Sequence, residues 1–282
     1  MVEKILYSLE ETLALIEQGR VILVDIRDQD AFGEGHLPGA VNLPEIFSFL
    51  SFSTPAGLVE LRDHFAASFS RVGVSSEKKV LFYEDSFDTR YGGSCRGYWL
   101  ARYLGHPDCG VLDGGFWDWL KHGYPEETTL TEPIPSCFTP RPEHGMMATR
   151  DDVQQALGDP AVVLLDNRDA NEWLGLTSSP YGFDFAPRRG RIPGARWIEW
   201  YSFMDRNAIP GFRPVEEIRA LCAGQGIHLD SDIIIYCFKG SRAANTYVAL
   251  RLAGFSRLRV YFASWNEWSR DPSLPIETNA PG

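Results

Sequence analysis

Ile233-Ile234-Ile235-Tyr236-Cys237-Phe238-Lys239-Gly240-Ser241-Arg242-Ala243-Ala244 is the stretch on which the reading of the fold turns. A run of β-branched residues predicts a buried strand, the Lys-Gly-Ser-Arg segment breaks it, and a helix opens at the alanines. A strand delivered to a helix through a short loop puts Cys237 where backbone N–H groups and the positive end of the helix macrodipole converge. Lys239 and Arg242 add full charges nearby. Such surroundings move a cysteine pKa from about 8.5 towards roughly 3.5–7.5. The expectation is a reactive thiolate rather than a structural core cysteine. Cys237 is therefore the candidate nucleophile, with Phe238, Lys239, Gly240, Ser241 and Arg242 as candidate binding groups. Two bland alternatives stay open: Lys239 as a solvated surface charge, and Arg242 as a brace for loop carbonyls at the helix start.

Working outward, the chain proves to be a repeat. Ser8-Leu9-Glu10-Glu11 and Thr149-Arg150-Asp151-Asp152 are both capping-box helix starts, 141 positions apart. The strands Val21–Arg27 and Val162–Arg168 keep that offset, each ending in Asp-x-Arg. Gly35-His36-Leu37-Pro38-Gly39-Ala40 and Gly190-Arg191-Ile192-Pro193-Gly194-Ala195 are 155 apart, so the second half has gained about 14 residues around Thr177–Arg189. Val80–Tyr83 matches Ile233–Tyr236, and Phe116-Trp117-Asp118-Trp119 matches Trp265-Asn266-Glu267-Trp268. Alternating short strands and helices predict an α/β fold, two tandem domains each built on a mostly parallel sheet flanked by helices. The Pro- and Thr-rich stretch Pro125–Pro142 reads as a linker. The expected boundaries are a first domain over 1–126, a linker over 127–147 and a second domain over 148–282. Ligands bind at the carboxyl ends of parallel strands, where Cys237 lies. The matching first-half position is Glu84, followed by Asp85. The expectation is one half that does chemistry and one that closes a side of its cleft.

Composition narrows the class. The 282 residues with 44% hydrophobic and 23% charged content suit two soluble globular domains. No 18-residue apolar run is present, so no membrane span is expected. The N-terminus lacks a secretory pattern, which predicts a cytoplasmic protein. Five scattered cysteines fit a reducing compartment. A net charge of −11 argues against nucleic acid and anionic membranes. Residues 1–141 hold 12 basic and 21 acidic side chains, a net −9, whereas residues 142–282 hold 15 and 17, a net −2. The half with Cys237 is the less hostile to an anion.

Together these marks resemble the tandem-domain rhodanese family of thiosulfate and 3-mercaptopyruvate sulfurtransferases. The resemblance rests on Asp25-Ile26-Arg27 with Gly35–Ala40, Asp166-Asn167-Arg168 with Trp173-Leu174-Gly175, the Cys237–Arg242 loop, and Ser264–Trp268. It implies an inactive first domain, with Glu84 at the nucleophile position, and a persulfide on Cys237. It implies a small sulfur donor, thiosulfate first, and a nucleophilic acceptor such as cyanide or a thiol. Lys239 and Gly240 match the thiosulfate form of the loop, Phe238 departs from both forms, and Arg242 resembles single-domain loops. Where tandem rhodaneses often carry a pocket arginine, this chain has Glu172; Arg188, Arg189 and Arg191 are the candidates to replace it.

Three rival readings follow. A mercaptopyruvate enzyme uses the same nucleophile, but Lys239 argues against it. A phosphatase loop of this architecture is Cys-x5-Arg, one residue longer than here. A sulfur carrier would hand its sulfur to a protein thiol. The insertion Leu174–Arg191, with Tyr181, Phe183 and Phe185 expected to be exposed, is a docking surface or a lid. Asp166 with Arg168 reads as scaffold, Cys222 as core and Cys95 as a minor oxidation site. Trp117, Trp119, Trp265 and Trp268 read as packing. Isolated histidines predict no metal, no other cofactor is expected, and the internal repeat makes a monomer the default.

Overall fold

Short apolar strands at β2 (Val21–Asp25) and β4 (Lys79–Tyr83) form the centre of the first sheet. In a computed structural model of the chain, residues 4–85, 91–130, 132–182, 185–205 and 210–278 are described. With β1 (Leu6–Tyr7), β3 (Val41–Asn42) and β5 (Cys109–Leu112) the sheet order is β1-β5-β4-β2-β3. All its described pairings are parallel. The second sheet comprises β6 (Val162–Asp166), β7 (Arg196–Trp197), β8 (Asp232–Tyr236) and β9 (Leu258–Val260), in the order β7-β6-β8-β9, again parallel. Parallel strands are covered on both faces, which is why they read as unbroken apolar runs. Ile233, Ile234, Ile235 and Tyr236 are wholly buried, as are Val80 to Tyr83.

The chain divides into two units: Met1–Phe49 with Val59–Glu143 and Asp205–Gly211, and Leu50–Leu58 with His144–Met204 and Phe212–Gly282. Each starts with the expected cap. Glu11 N–H donates to Ser8 Oγ while the Glu11 carboxylate accepts from Ser8 N–H, and Thr149 with Asp152 repeats the exchange.

The Asp-x-Arg pairs are scaffold in both units. Arg27 donates to both oxygens of Asp25 and to the Gly35 carbonyl. Arg168 does the same with Asp166 and the Gly190 carbonyl. Their guanidinium groups lie over Phe116 at 3.9 Å and Trp265 at 4.5 Å. Burial opposes the charge on Arg168, yet Asp166, together with Tyr236 and Glu172, more than offsets it and holds the group protonated. The repeat also reaches a pair of glutamates. Glu127 exchanges main-chain hydrogen bonds with His36 and its carboxylate accepts from Gly39 N–H; Glu277 treats Arg191 and Gly194 alike. Among the described residues no helix is long and apolar enough to cross a membrane.

Candidate active site

β8 ends at Tyr236, so Cys237 emerges at the carboxyl edge of the sheet, with only 1% of its surface exposed. The loop then reverses at Gly240, whose φ of +95° is a left-handed conformation. A Cβ there would meet the Phe262 ring at 2.8 Å, so only glycine fits. This turn brings the Gly240 N–H to within 3.0 Å of Cys237 Sγ, to which it donates. The helix Ser241–Leu252 starts immediately afterwards. Amide and helix start thus converge on the sulfur, as an anion site requires.

Ser264 supports the same residue from the other side. Its hydroxyl accepts the Cys237 N–H at 3.1 Å, donates to the Tyr261 carbonyl at 2.7 Å, and stands 4.0 Å from the sulfur. It does so with φ of +57°, uncommon for a residue with a side chain. The helix Ser264–Trp268 is anchored to the loop by Trp265 N–H to the Cys237 carbonyl and Asn266 N–H to the Phe238 carbonyl.

Arg242 faces Glu172. The two form a bidentate pair, Nη1 to Oε2 at 2.5 Å and Nη2 to Oε1 at 3.0 Å, and Nη1 also meets Asp169 at 3.1 Å. Glu172 is 1% exposed. Burial works against the guanidinium charge, but Glu172, then Cys237 and Asp169, hold it protonated well above its ordinary range. Lys239 is largely buried with Nζ 4.7 Å from the centre of the Tyr181 ring.

The first unit fills the equivalent corner with a carboxylate. Glu84 follows β4 as Cys237 follows β8, and it is fully enclosed. It accepts from Gly93 N–H at 3.0 Å, and from Ser94 N–H and Oγ at 2.8 and 2.7 Å, all at the start of the helix Gly92–Tyr103. Beside it opens a cavity of about 650 Å³ edged by Asp28, Glu34, Asp85, Glu126, Phe116 and Trp117.

The Rhodanese-like domain matches residues 8–122 and again 149–271. The chain belongs to the rhodanese family. Two matched blocks make it a tandem rhodanese. It is 31% identical to the "Putative thiosulfate sulfurtransferase" of Haloferax volcanii, over 92% of this chain and 88% of that protein. It is 28% identical to the "Sulfur carrier protein TtuD" of Thermus thermophilus, covering 97% and 96% respectively, and 27% identical to the "Thiosulfate sulfurtransferase" of Pseudomonas aeruginosa, covering 91% of each. The fold is shared with the anaerobic ergothioneine biosynthesis enzyme from Chlorobium limicola: TM-score 0.84, 23% identity, 98% of this chain and 70% of that one.

Several sequence expectations about this rhodanese change. Arg242 does not brace loop carbonyls; its hydrogen bonds go to the buried carboxylate of Glu172. Arg188 is spent on the carbonyls of Trp268, Ser269, Asp271 and Leu274, and Arg191 pairs with Glu277, so neither serves as a pocket cation. Phe238 departs from the family loops for a visible reason. It is buried beneath Tyr181 and Phe185, whose rings approach edge-on at 5.6 and 5.8 Å. Those two are exposed, as expected from the sequence, while their rings also reach the loop; Phe183 lies outside the described residues. Ser241 is buried in the first turn of its helix. Trp117 is 52% exposed and donates to Asp85, unlike the buried Trp119, Trp265 and Trp268. Cys95 is fully buried, its thiol pushed far up by burial and then by Glu84 and Asp113, which removes the case for oxidation there. Cys222 is core, pushed up to about 12 by burial.

Sequence reasoning missed Glu172 and Asp169 as partners of Arg242, and Ser264 as a support of Cys237. The signal for Ser264 was its place at the head of the Ser264–Trp268 block that carried the family resemblance; its counterpart in the first half is Gly115. No local pattern pointed to the Glu172 contact, which joins residues 70 positions apart.

Proposed function

We propose that this protein moves sulfane sulfur from a small donor to a nucleophilic acceptor through a persulfide on Cys237. As a rhodanese with curated relatives named for thiosulfate sulfurtransferase activity, the chain is a transferase. The donor we assign is thiosulfate. The Cys237 thiolate attacks its outer sulfur, a new S–S bond forms, and the old one breaks with its electron pair leaving on sulfite. Cyanide or a thiol then attacks the outer sulfur of the persulfide and regenerates the thiolate. No metal or redox partner enters either step.

The single observation behind this reading is the Gly240 N–H donating to Cys237 Sγ at the start of a helix. An amide so placed stabilises sulfur anions, both the thiolate and the persulfide. Lys239 and the amides of Phe238, Ser241 and Arg242 are the groups we assign to the donor's sulfonate end. Mercaptopyruvate is the alternative donor. A second reading, delivery to a protein thiol, draws on the full-length similarity to a protein named a sulfur carrier. We place the protein in the cytoplasm as a monomer.

Initial rates test the mechanism. Varying thiosulfate at several cyanide concentrations should give parallel double-reciprocal lines; intersecting lines would remove the covalent intermediate. Lys239→Ala should raise KM for thiosulfate several-fold and leave an uncharged donor almost unaffected. An equal effect on both assigns Lys239 to structure.

A further inference from the structure

Among the described residues, the charges gathered at the Cys237 loop balance. Two cations, Lys239 and Arg242, stand against two carboxylates, Asp169 and Glu172, and the nearby Arg168 is closed on Asp166. An arginine that gripped the thiosulfate dianion directly would keep its fork facing the donor. Here Arg242 instead spends both ends of its fork on a carboxylate that is 1% exposed. Glu172 has also given up solvent for this contact, and a buried bidentate pair of that geometry is not easily opened. Arg242 nonetheless stands only five residues beyond Cys237, in the first turn of the helix that follows the loop.

We propose that Glu172 is a positioning residue that widens the donor class: by neutralising Arg242 it lowers the site's preference for the thiosulfate dianion and admits a low-molecular-weight organic persulfide as a second donor. This rests on Cys237 as the sulfur-accepting residue. The step balances without a further reagent. The Cys237 thiolate attacks the outer sulfur of R–S–SH, the Sγ–S bond forms, and the S–S bond of the donor breaks. The electron pair leaves on the inner sulfur as R–S⁻, and the proton stays on the transferred sulfur. The departing group then bears one negative charge, where sulfite bears two.

The test compares kcat/KM for thiosulfate and for cysteine persulfide, with one acceptor, in wild type, Glu172→Gln and Glu172→Asp. Wild type should use both donors, and no turnover of the persulfide would overturn the proposal. Glu172→Gln should shift the ratio about tenfold towards thiosulfate, since one added unit of positive charge acts on two negative charges rather than one. Glu172→Asp should keep the wild-type ratio. Raising the salt concentration should shrink the shift in Glu172→Gln. Equal changes for both donors, or none, while Cys237 still gains sulfur, would overturn the proposal and leave the persulfide mechanism standing. Should Glu172→Gln not fold, Asp169→Asn at the one-third-exposed partner carries the test, with a shift of about threefold expected and an unchanged ratio counting against. If wild-type Cys237 gains sulfur from neither donor, both readings fall.

Discussion

The two units give the same backbone two different anions to hold. After β4 the chain runs seven residues from Glu84 to the left-handed Tyr91 before its helix; after β8 it needs three, from Cys237 to Gly240. The longer connection lets the Glu84 carboxylate reach the N–H groups of Gly93 and Ser94 and stay there, bonded and buried. The shorter one sets a single Gly240 N–H on a sulfur atom. A helix N-terminus at the end of a parallel strand is an anion site in both cases. What differs, on the function proposed above, is whether the anion is permanent furniture or a nucleophile. The acidic edge of the first-unit cavity, with Asp28, Glu34, Asp85 and Glu126, completes the contrast by repelling anionic donors.

The largest effect expected from breaking this contrast is at the sulfur. Cys237→Ser should lower sulfur transfer on the order of a thousandfold or more. Adding Glu84→Cys to that variant should restore nothing, because a cysteine side chain is shorter than the glutamate and the four extra loop residues keep it from the same amide contact. Recovery of activity in the double variant would show that residue type alone separates the units.

Next comes Glu84→Ala in the otherwise intact chain. It strands two buried N–H groups and a hydroxyl, so the denaturant midpoint should fall by the equivalent of about 2–3 kcal/mol. Activity in the remaining folded protein should be retained. A neutral effect on stability would mean that the carboxylate only fills space. Gly240→Ala should cost somewhat less, about 1–2 kcal/mol from the left-handed φ and the Phe262 contact, but should also slow transfer by moving the amide off the sulfur. Stability lost with full activity kept would separate the turn from the chemistry.

The pattern of the chain made the repeat, the strands and the loop legible, because each depends on residues adjacent in sequence. Three isoleucines before Cys237 and the glycine at 240 announce a buried strand and a sharp turn without any knowledge of neighbours. The tertiary partners were not legible. Nothing near Glu172 says that Arg242 will face it, and the exclusion of Arg188 as a pocket cation follows only from the four carbonyls that surround it. Phe238 looked like an anomaly until Tyr181 and Phe185, carried in by the insertion, were seen to cover it. Trp117 was grouped with its neighbours by spacing, yet Phe116 and Trp119 turn inward while it turns out.

The smallest effect concerns a cysteine outside the contrast. Burial raises Cys222 from its ordinary value of 9 to about 12, so the folded chain keeps a proton that the unfolded chain releases above pH 9. That contribution is whole below pH 9 and is lost as pH climbs towards 12. The stability gap between wild type and Cys222→Ala should therefore narrow by up to about 1 kcal/mol between pH 7.5 and pH 10. A gap that widens or stays constant would show the thiol to be more accessible than its packing implies.

Intact-protein mass spectrometry after brief exposure to thiosulfate or cysteine persulfide, followed by peptide mapping, addresses the central claim most directly. The account predicts a gain of one sulfur atom, located on Cys237, removed by cyanide and absent from Cys237→Ser. A protein that gains no sulfur from either donor, or gains it on Cys95, Cys109, Cys137 or Cys222 instead, would contradict it.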